Sequence, residues 1–188
     1  MKKLVVLGST RGTDLQFIID KIEARELDAK IELVLSNKQD AYILERAKKY
    51  NLNTVCIESK GKKRVEFDSL VTTEIEKYNP DIIVLIGFMR ILSPEFINKF
   101  ENKIINVHPS LLPKFAGGMD SDVHAEVIAA GEIESGCTVH LVTKEVDGGR
   151  ILLQKKCKVE IGETPELLKL KVQHLEGESL VKVIKEWK

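Results

Sequence analysis

In the run Ile104-Ile-Asn-Val-His-Pro109 an amide and an imidazole, Asn106 and His108, stand two residues apart at the end of an apolar stretch. Alternate residues of a strand share a face, so the two side chains point the same way. Pro109 cannot donate a ladder hydrogen bond and stops the strand there. Open α/β sheets place their ligands at the carboxyl ends of strands, which is where this pair falls. The pairing suits chemistry at a carbonyl: Asn can donate to a developing oxyanion, and His can move a proton near neutral pH. Further along comes Asp147-Gly148-Gly149. Asp before Gly is ordinary turn chemistry. It joins the site only if the turn folds back on His108, where a carboxylate favours the charged imidazolium. His124, His140 and His174 lack such a context, and we read them as structural: His140 in an alternating strand, His174 on a helix.

Two loops and one cation add candidates. Gly8-Ser-Thr-Arg-Gly-Thr-Asp14 links an apolar run to a helical one. Its glycines and the helix N-terminus suit an anion, and Arg11 would add charge. The spacing is neither that of a dinucleotide fingerprint nor that of a P-loop, so a single phosphomonoester fits better. The same residues equally make a tight turn with a cap. Gly87-Phe-Met-Arg-Ile-Leu92 follows another apolar run and would line a pocket for a flat heterocycle, or simply pack under a loop. Arg64, opening a helix, would meet a carboxylate or stay a solvated charge.

The elements that must position these groups follow from periodicity. Leu4–Leu7, Ile31–Leu35, Thr54–Ile57, Ile82–Ile86 and Ile104–Val107 are short Val/Ile/Leu-rich runs, as expected of parallel strands covered on both faces. Helical patterns alternate with them. Leu15, Ile18, Ile19 and Ile22 line one face of the first, with Thr13-x-x-Gln16 as its capping box. Residues 40–50 and 63–78 form two more, and Pro94–Phe100 a short one. Lys114–Asp122 reads as a loop, mobile because of its adjacent glycines. A helix over Val123–Ala130 follows. Cys137–Val142 and Ile151–Val159 then read as an antiparallel hairpin around the Asp147 turn. Thr164-Pro165 starts a helix running toward Trp187, with a kink expected at Gly177. The pattern predicts one doubly wound α/β domain, residues 1–188, with a mostly parallel sheet, an antiparallel C-terminal hairpin and a C-terminal helix.

Composition narrows the partners. The 188 residues carry 29 Lys plus Arg against 29 Asp plus Glu, so no global basic field recruits nucleic acid or an anionic membrane. No apolar run approaches a membrane span, and Met1-Lys2-Lys3 leads straight into a strand. Cys56, Cys137 and Cys157 are odd in number and far apart, fitting neither a disulfide framework nor a metal knuckle. We read each as a small buried hydrophobe, in a reducing, cytoplasmic setting.

Taken together, Gly87-Phe-Met-Arg-Ile-Leu-Ser-Pro94, Asn106-Val-His-Pro-Ser-Leu-Leu-Pro113, Val146-Asp-Gly-Gly149 and Val172-Gln-His-Leu-Glu176 resemble the phosphoribosylglycinamide formyltransferases, the small folate-dependent enzymes of purine synthesis. The resemblance implies a Rossmann-like formyltransferase fold, with 1–110 as a phosphate-binding half and 111–188 as a folate and catalytic half. It implies Asn106, His108 and Asp147 as the catalytic trio. Gly12, Thr13, Asp14, Gln173 and Glu176 would bind glycinamide ribonucleotide. Arg64, Met89, Arg90, Ile91, Leu92 and Asn106 would hold the folate. The co-substrate would be 10-formyltetrahydrofolate, with no metal, and the enzyme a monomer or homodimer. The chain departs from familiar members at Thr10-Arg11 and Asp14, in the loop after Lys114, and at Arg150, where Pro often follows Asp-Gly-Gly.

Three other readings compete. A methionyl-tRNA formyltransferase would carry a further RNA-binding domain, and a formyltetrahydrofolate hydrolase an additional N-terminal one. A non-catalytic binding module would be expected to lack Asn106, His108 or Asp147, all of which are present.

Overall fold

The computed structural model describes residues 1–118 and 120–188, and for 120–122 the backbone only. Five strands alternate with helices as the apolar runs predict. They are β1 (Lys2–Gly8), α1 (Thr13–Glu23), β2 (Ala29–Ser36), α2 (Tyr42–Lys49), β3 (Thr54–Cys56), α3 (Arg64–Glu76), β4 (Ile82–Ile86), α4 (Pro94–Lys99) and β5 (Ile104–His108). Then follow α5 (Asp120–Ala129), β6 (Glu134–Leu141), β7 (Ile151–Lys158) and α6 (Pro165–Glu186). The strands form one sheet in the order β3-β2-β1-β4-β5-β6-β7. The first five are parallel, while β6 runs antiparallel to β5 and β7 antiparallel to β6.

The order carries functional meaning. From β1 the chain winds outward to β2 and β3, then returns to β4 on the other side of β1. The crevice above β1 and β4 is therefore the topological switch point, where doubly wound sheets bind ligands. The loops after both strands meet there. The strands are apolar on both faces because helices cover both. Leu4, Val6, Val34 and Val84 pack under α1, α2 and α6, while Val5, Leu7, Leu35 and Leu85 pack under α3 and α4.

Several local expectations change. The capping box at Thr13-x-x-Gln16 does not form. Gly12, in the left-handed region at φ 65°, occupies the N-cap of α1 with no side-chain cap. Gln16 instead donates to Asp20 and Tyr50 and accepts from Arg46. At α6 the expected cap is present, with the Thr164 hydroxyl accepting from Leu167 N–H and Pro165 opening the helix. That helix runs unbroken through Gly177, whose missing side chain leaves room for a neighbour. A Cβ there would lie 2.2 Å from the Phe17 ring. Cys137 is buried, and desolvation pushes its thiol up to about 12. Cys56 and Cys157 are only partly covered, against the expectation of three buried cysteines. In the expected mobile loop, Lys114 to Gly117 fold as a turn, and Met119 lies outside the described residues.

Candidate active site

The carboxyl ends of β1, β4, β5 and β6, the turn between β6 and β7 and the first half of α6 enclose a cavity of about 710 Å³. Its lining includes Gly12, Thr13, Asp14, Met89, Arg90, Ile91, Leu92, Asn106, His108, Asp147, Gln173 and Glu176. Of the residues singled out from the sequence, Arg64 stands outside this lining, exposed at the start of α3.

At one end, α1 points its uncapped N-terminus into the cavity. The first amides of a helix lack intrahelical partners and carry the positive end of its dipole. Gly12 makes the approach possible: its φ of 65° suits glycine, and a Cβ would sit 2.4 Å from the Ile43 side chain. Across from it, α6 brings in Gln173 and the buried Glu176.

The middle is apolar. After β4, Gly87 adopts φ 54° and Arg90 N–H closes a tight turn onto the Phe88 carbonyl. The Arg90 guanidinium lies 4.5 Å from the centre of the Phe67 ring. Ser93, capping α4, is pinned by its N–H donating to the buried Asp68 carboxylate. Burial pushes the Asp68 carboxyl up, only partly offset by the Ser93 hydrogen bonds and the charge of Arg90. The Met89–Leu92 segment thus lies along the cavity wall between two fixed points, Gly87 and Ser93.

At the other end four side chains meet. Asn106 and His108 share the strand face predicted for them, with His108 almost wholly buried. The His108 Nε2–H donates to the Phe115 carbonyl at 2.9 Å, which leaves Nδ1 facing Asp147 Oδ2 at 3.4 Å. The fourth member is His140, read from the sequence as structural, which the structure places in this cluster and in the cavity lining. In the antiparallel β5–β6 register Asn106 sits directly opposite His140. The His140 Nδ1–H donates to the Leu141 carbonyl at 2.9 Å. Its Nε2 then lies 3.3 Å from the Asn106 amide nitrogen and 3.4 Å from Asp147 Oδ1. Unprotonated, that nitrogen accepts from the amide; protonated, it donates to the carboxylate.

Asp147 reaches this cluster through an unusual backbone. It occupies the left-handed region at φ 53°, which Asp tolerates better than most residues. Gly149 must follow, because a Cβ there would fall 1.8 Å from the Leu141 carbonyl oxygen. Gly117 N–H donates to Asp147 Oδ2 at 2.8 Å. Burial pushes the carboxyl up, but a hydrogen bond from His140 in its protonated form, one from Gly117 and the charge of the nearby imidazoles outweigh it, holding the group below its ordinary range. Behind the site, Thr138 accepts from Leu112 N–H and donates to the Ser110 carbonyl, fixing the segment that leaves His108. Among the described residues no cluster of His, Cys, Asp and Glu has the makings of a metal site, and no helix is long and apolar enough to cross a membrane.

Sequence reasoning missed His140 because its signal is cross-strand register, not local context. A paired β5 and β6 would have been needed to see it.

A doubly wound sheet with an antiparallel extension, an open helix N-terminus and an Asn–His–Asp cluster at one sheet edge define the class. The chain belongs to the formyl transferase family, whose model matches residues 2–184. Within that class it is 41% identical, over 98% of this chain and 86% of the other, to the phosphoribosylglycinamide formyltransferase of Haemophilus influenzae. It is 40% identical to the Escherichia coli enzyme of the same name, over 90% of this chain and 79% of that one. The crystal structure of glycinamide ribonucleotide transformylase 1 from Symbiobacterium toebii matches with a TM-score of 0.93 and 33% identity, covering 98% of this chain and 86% of that one.

Proposed function

We propose that the chain transfers the formyl group of 10-formyltetrahydrofolate to the amine of glycinamide ribonucleotide, the formylation step of purine synthesis. The observation that carries this reading is the meeting of Asn106, His108 and Asp147 at one end of a cavity whose other end is an uncapped helix N-terminus. The ribonucleotide phosphate sits on the amides of Gly12, Thr13 and Asp14, and Gln173 and Glu176 face its ribose and glycinamide. The folate lies along Met89–Leu92, with Arg90 for its carboxylate and Arg64 at the outer end of its tail.

The amine nitrogen attacks the formyl carbon and a tetrahedral oxyanion forms. The Asn106 amide, oriented by His140, donates to that oxygen, and a protonated His108 adds charge stabilisation. Asp147 stays ionised at neutral pH, holds the His108 ring and helps relay the proton leaving the amine. The bond from the formyl carbon to the folate nitrogen then breaks, and that nitrogen takes up a proton. Bringing two substrates together in one cavity is itself a large part of the rate. No step calls for nucleic acid, a membrane or a metal, and a cytoplasmic monomer or homodimer suffices.

The test is release of tetrahydrofolate, followed by absorbance, with and without glycinamide ribonucleotide. Release that depends on the ribonucleotide supports the transfer. Release without it makes the protein a hydrolase.

A further inference from the structure

The two loops at the switch point touch each other through Ser9, which does not line the cavity. Ser9 N–H donates to the Gly87 carbonyl at 3.1 Å. In return, Met89 N–H donates to the Ser9 hydroxyl oxygen at 2.9 Å. The Ser9 hydroxyl proton goes to Asn37 Oδ1 at 2.5 Å, and the Asn37 amide donates onward to the Ser59 hydroxyl at 3.2 Å. Ser9 and Asn37 are both at least nine-tenths buried, and neither lines the cavity. Thr10 closes the contact from the other side, since a Cβ on Gly87 would meet its hydroxyl at 2.4 Å.

A serine hydroxyl has one proton and two lone pairs. Here the proton is committed to Asn37, which aims a lone pair at the Met89 amide. The bonds run head to tail from Met89 through Ser9 and Asn37 to Ser59, an arrangement in which each bond polarises the next. The anchor, Asn37, follows the end of β2 and belongs to neither loop.

We infer that Ser9, anchored by Asn37, is a positioning residue that locks the loop after β1 to the loop after β4, so that the two substrate sites of the proposed reaction are set as one unit. The loop leading to Gly12 and the start of α1 and the loop carrying Met89–Leu92 cannot shift independently while this strut holds. The inference rests on the proposed reading for what the two loops bind, but not for the strut itself.

The test separates the two. Amide hydrogen exchange is compared between wild type, Ser9→Ala and Asn37→Ala. Loss of a hydrogen bond of this kind speeds exchange roughly tenfold. The strut requires that increase at residues 9–12 and 87–91 together, with the cores of β1 and β4 unchanged. An increase near position 9 alone, with 87–91 as protected as in wild type, overturns it. In turnover, Ser9→Ala is expected to raise KM for the ribonucleotide and for the folate together, roughly three- to tenfold, with kcat down less than about threefold. A rise in one KM only also overturns the strut. The double variant should be no worse than Ser9→Ala, because both act on one network. Asn37→Ala, which keeps the Ser9 hydroxyl, serves if Ser9→Ala fails to fold. A wild-type protein without turnover refutes the proposed reaction and leaves the exchange comparison to decide the strut.

Discussion

At the β1–α1 end of the cavity the groups proposed to work are main-chain amides, whereas at the β5–β6 end they are titratable side chains that hold one another. The first end depends on backbone shape: Gly12 at φ 65°, an uncapped α1, and Ile43 packed where a side chain would go. The second depends on charge and register: two imidazoles share one carboxylate, and the Asn106 amide lies against one of them. An amide dipole needs no ionisation and changes little with pH. A buried Asp–His cluster is set by every neighbour it has. Under the proposed reaction the α1 end should therefore tolerate most side-chain changes at its amides and fail on backbone change, whereas the β5–β6 end should fail on loss of a single side chain.

That contrast can be broken most directly at β5. His108→Ala and Asn106→Ala are each expected to cut kcat by about 10²–10⁴-fold while KM for either substrate moves little. Steady-state kinetics decide it, and near-normal turnover in either variant removes that residue from the chemistry.

Next in size is Asp147→Asn. Asn also tolerates the left-handed turn, so the fold should persist while the charge between the imidazoles is lost. Turnover is expected to drop about 10²-fold. A second consequence follows from the lowered pKa of Asp147. A carboxyl depressed in the folded state contributes stability above its unfolded pKa, about 3.9, and loses it as pH falls through the lower folded value. The stability gap between wild type and Asp147→Asn should thus be open at neutral pH and close only in strong acid. Denaturant unfolding across that range checks it; a gap that widens in acid contradicts the assignment.

His140→Ala should have a smaller effect, roughly tenfold in kcat, since it frees the Asn106 amide without removing it. Preserved turnover would return His140 to the structural role its sequence context suggested. The smallest expected effect compares two arginines. Arg90→Ala should raise the folate KM several-fold and Arg64→Ala by about twofold or less, because exposed charges outside the cavity contribute little. The reverse order, read from KM alone, would move the folate carboxylates out toward α3.

The parallel half of the molecule was legible because its signals are local. Each apolar run lies within or one residue beyond its strand, and the Pro109 stop and the shared face of Asn106 and His108 follow from period-two geometry alone. The capping box at Thr13 failed for the same kind of reason. A pattern over four residues says nothing of Ile43, which crowds Gly12 from another helix, or of Arg46 and Tyr50, which claim Gln16. The antiparallel half was legible as a hairpin but not as part of a site. His140 became a site residue only through its pairing opposite Asn106, and strand pairing is a contact between segments far apart in the chain.

By itself, then, the sequence determined what each segment is able to become: strand or helix from hydrophobic period, turn from glycine and proline, and a family from motifs that retain their spacing. Which groups meet was decided only by the tertiary structure. The distance from Asp147 to two imidazoles depends on the β5–β6–β7 register, on the left-handed Asp147 backbone and on the absence of a side chain at Gly149. These are long-range and steric conditions. Residue types along a chain carry propensity, but an interatomic distance exists only after the sheet has closed and excluded every other arrangement.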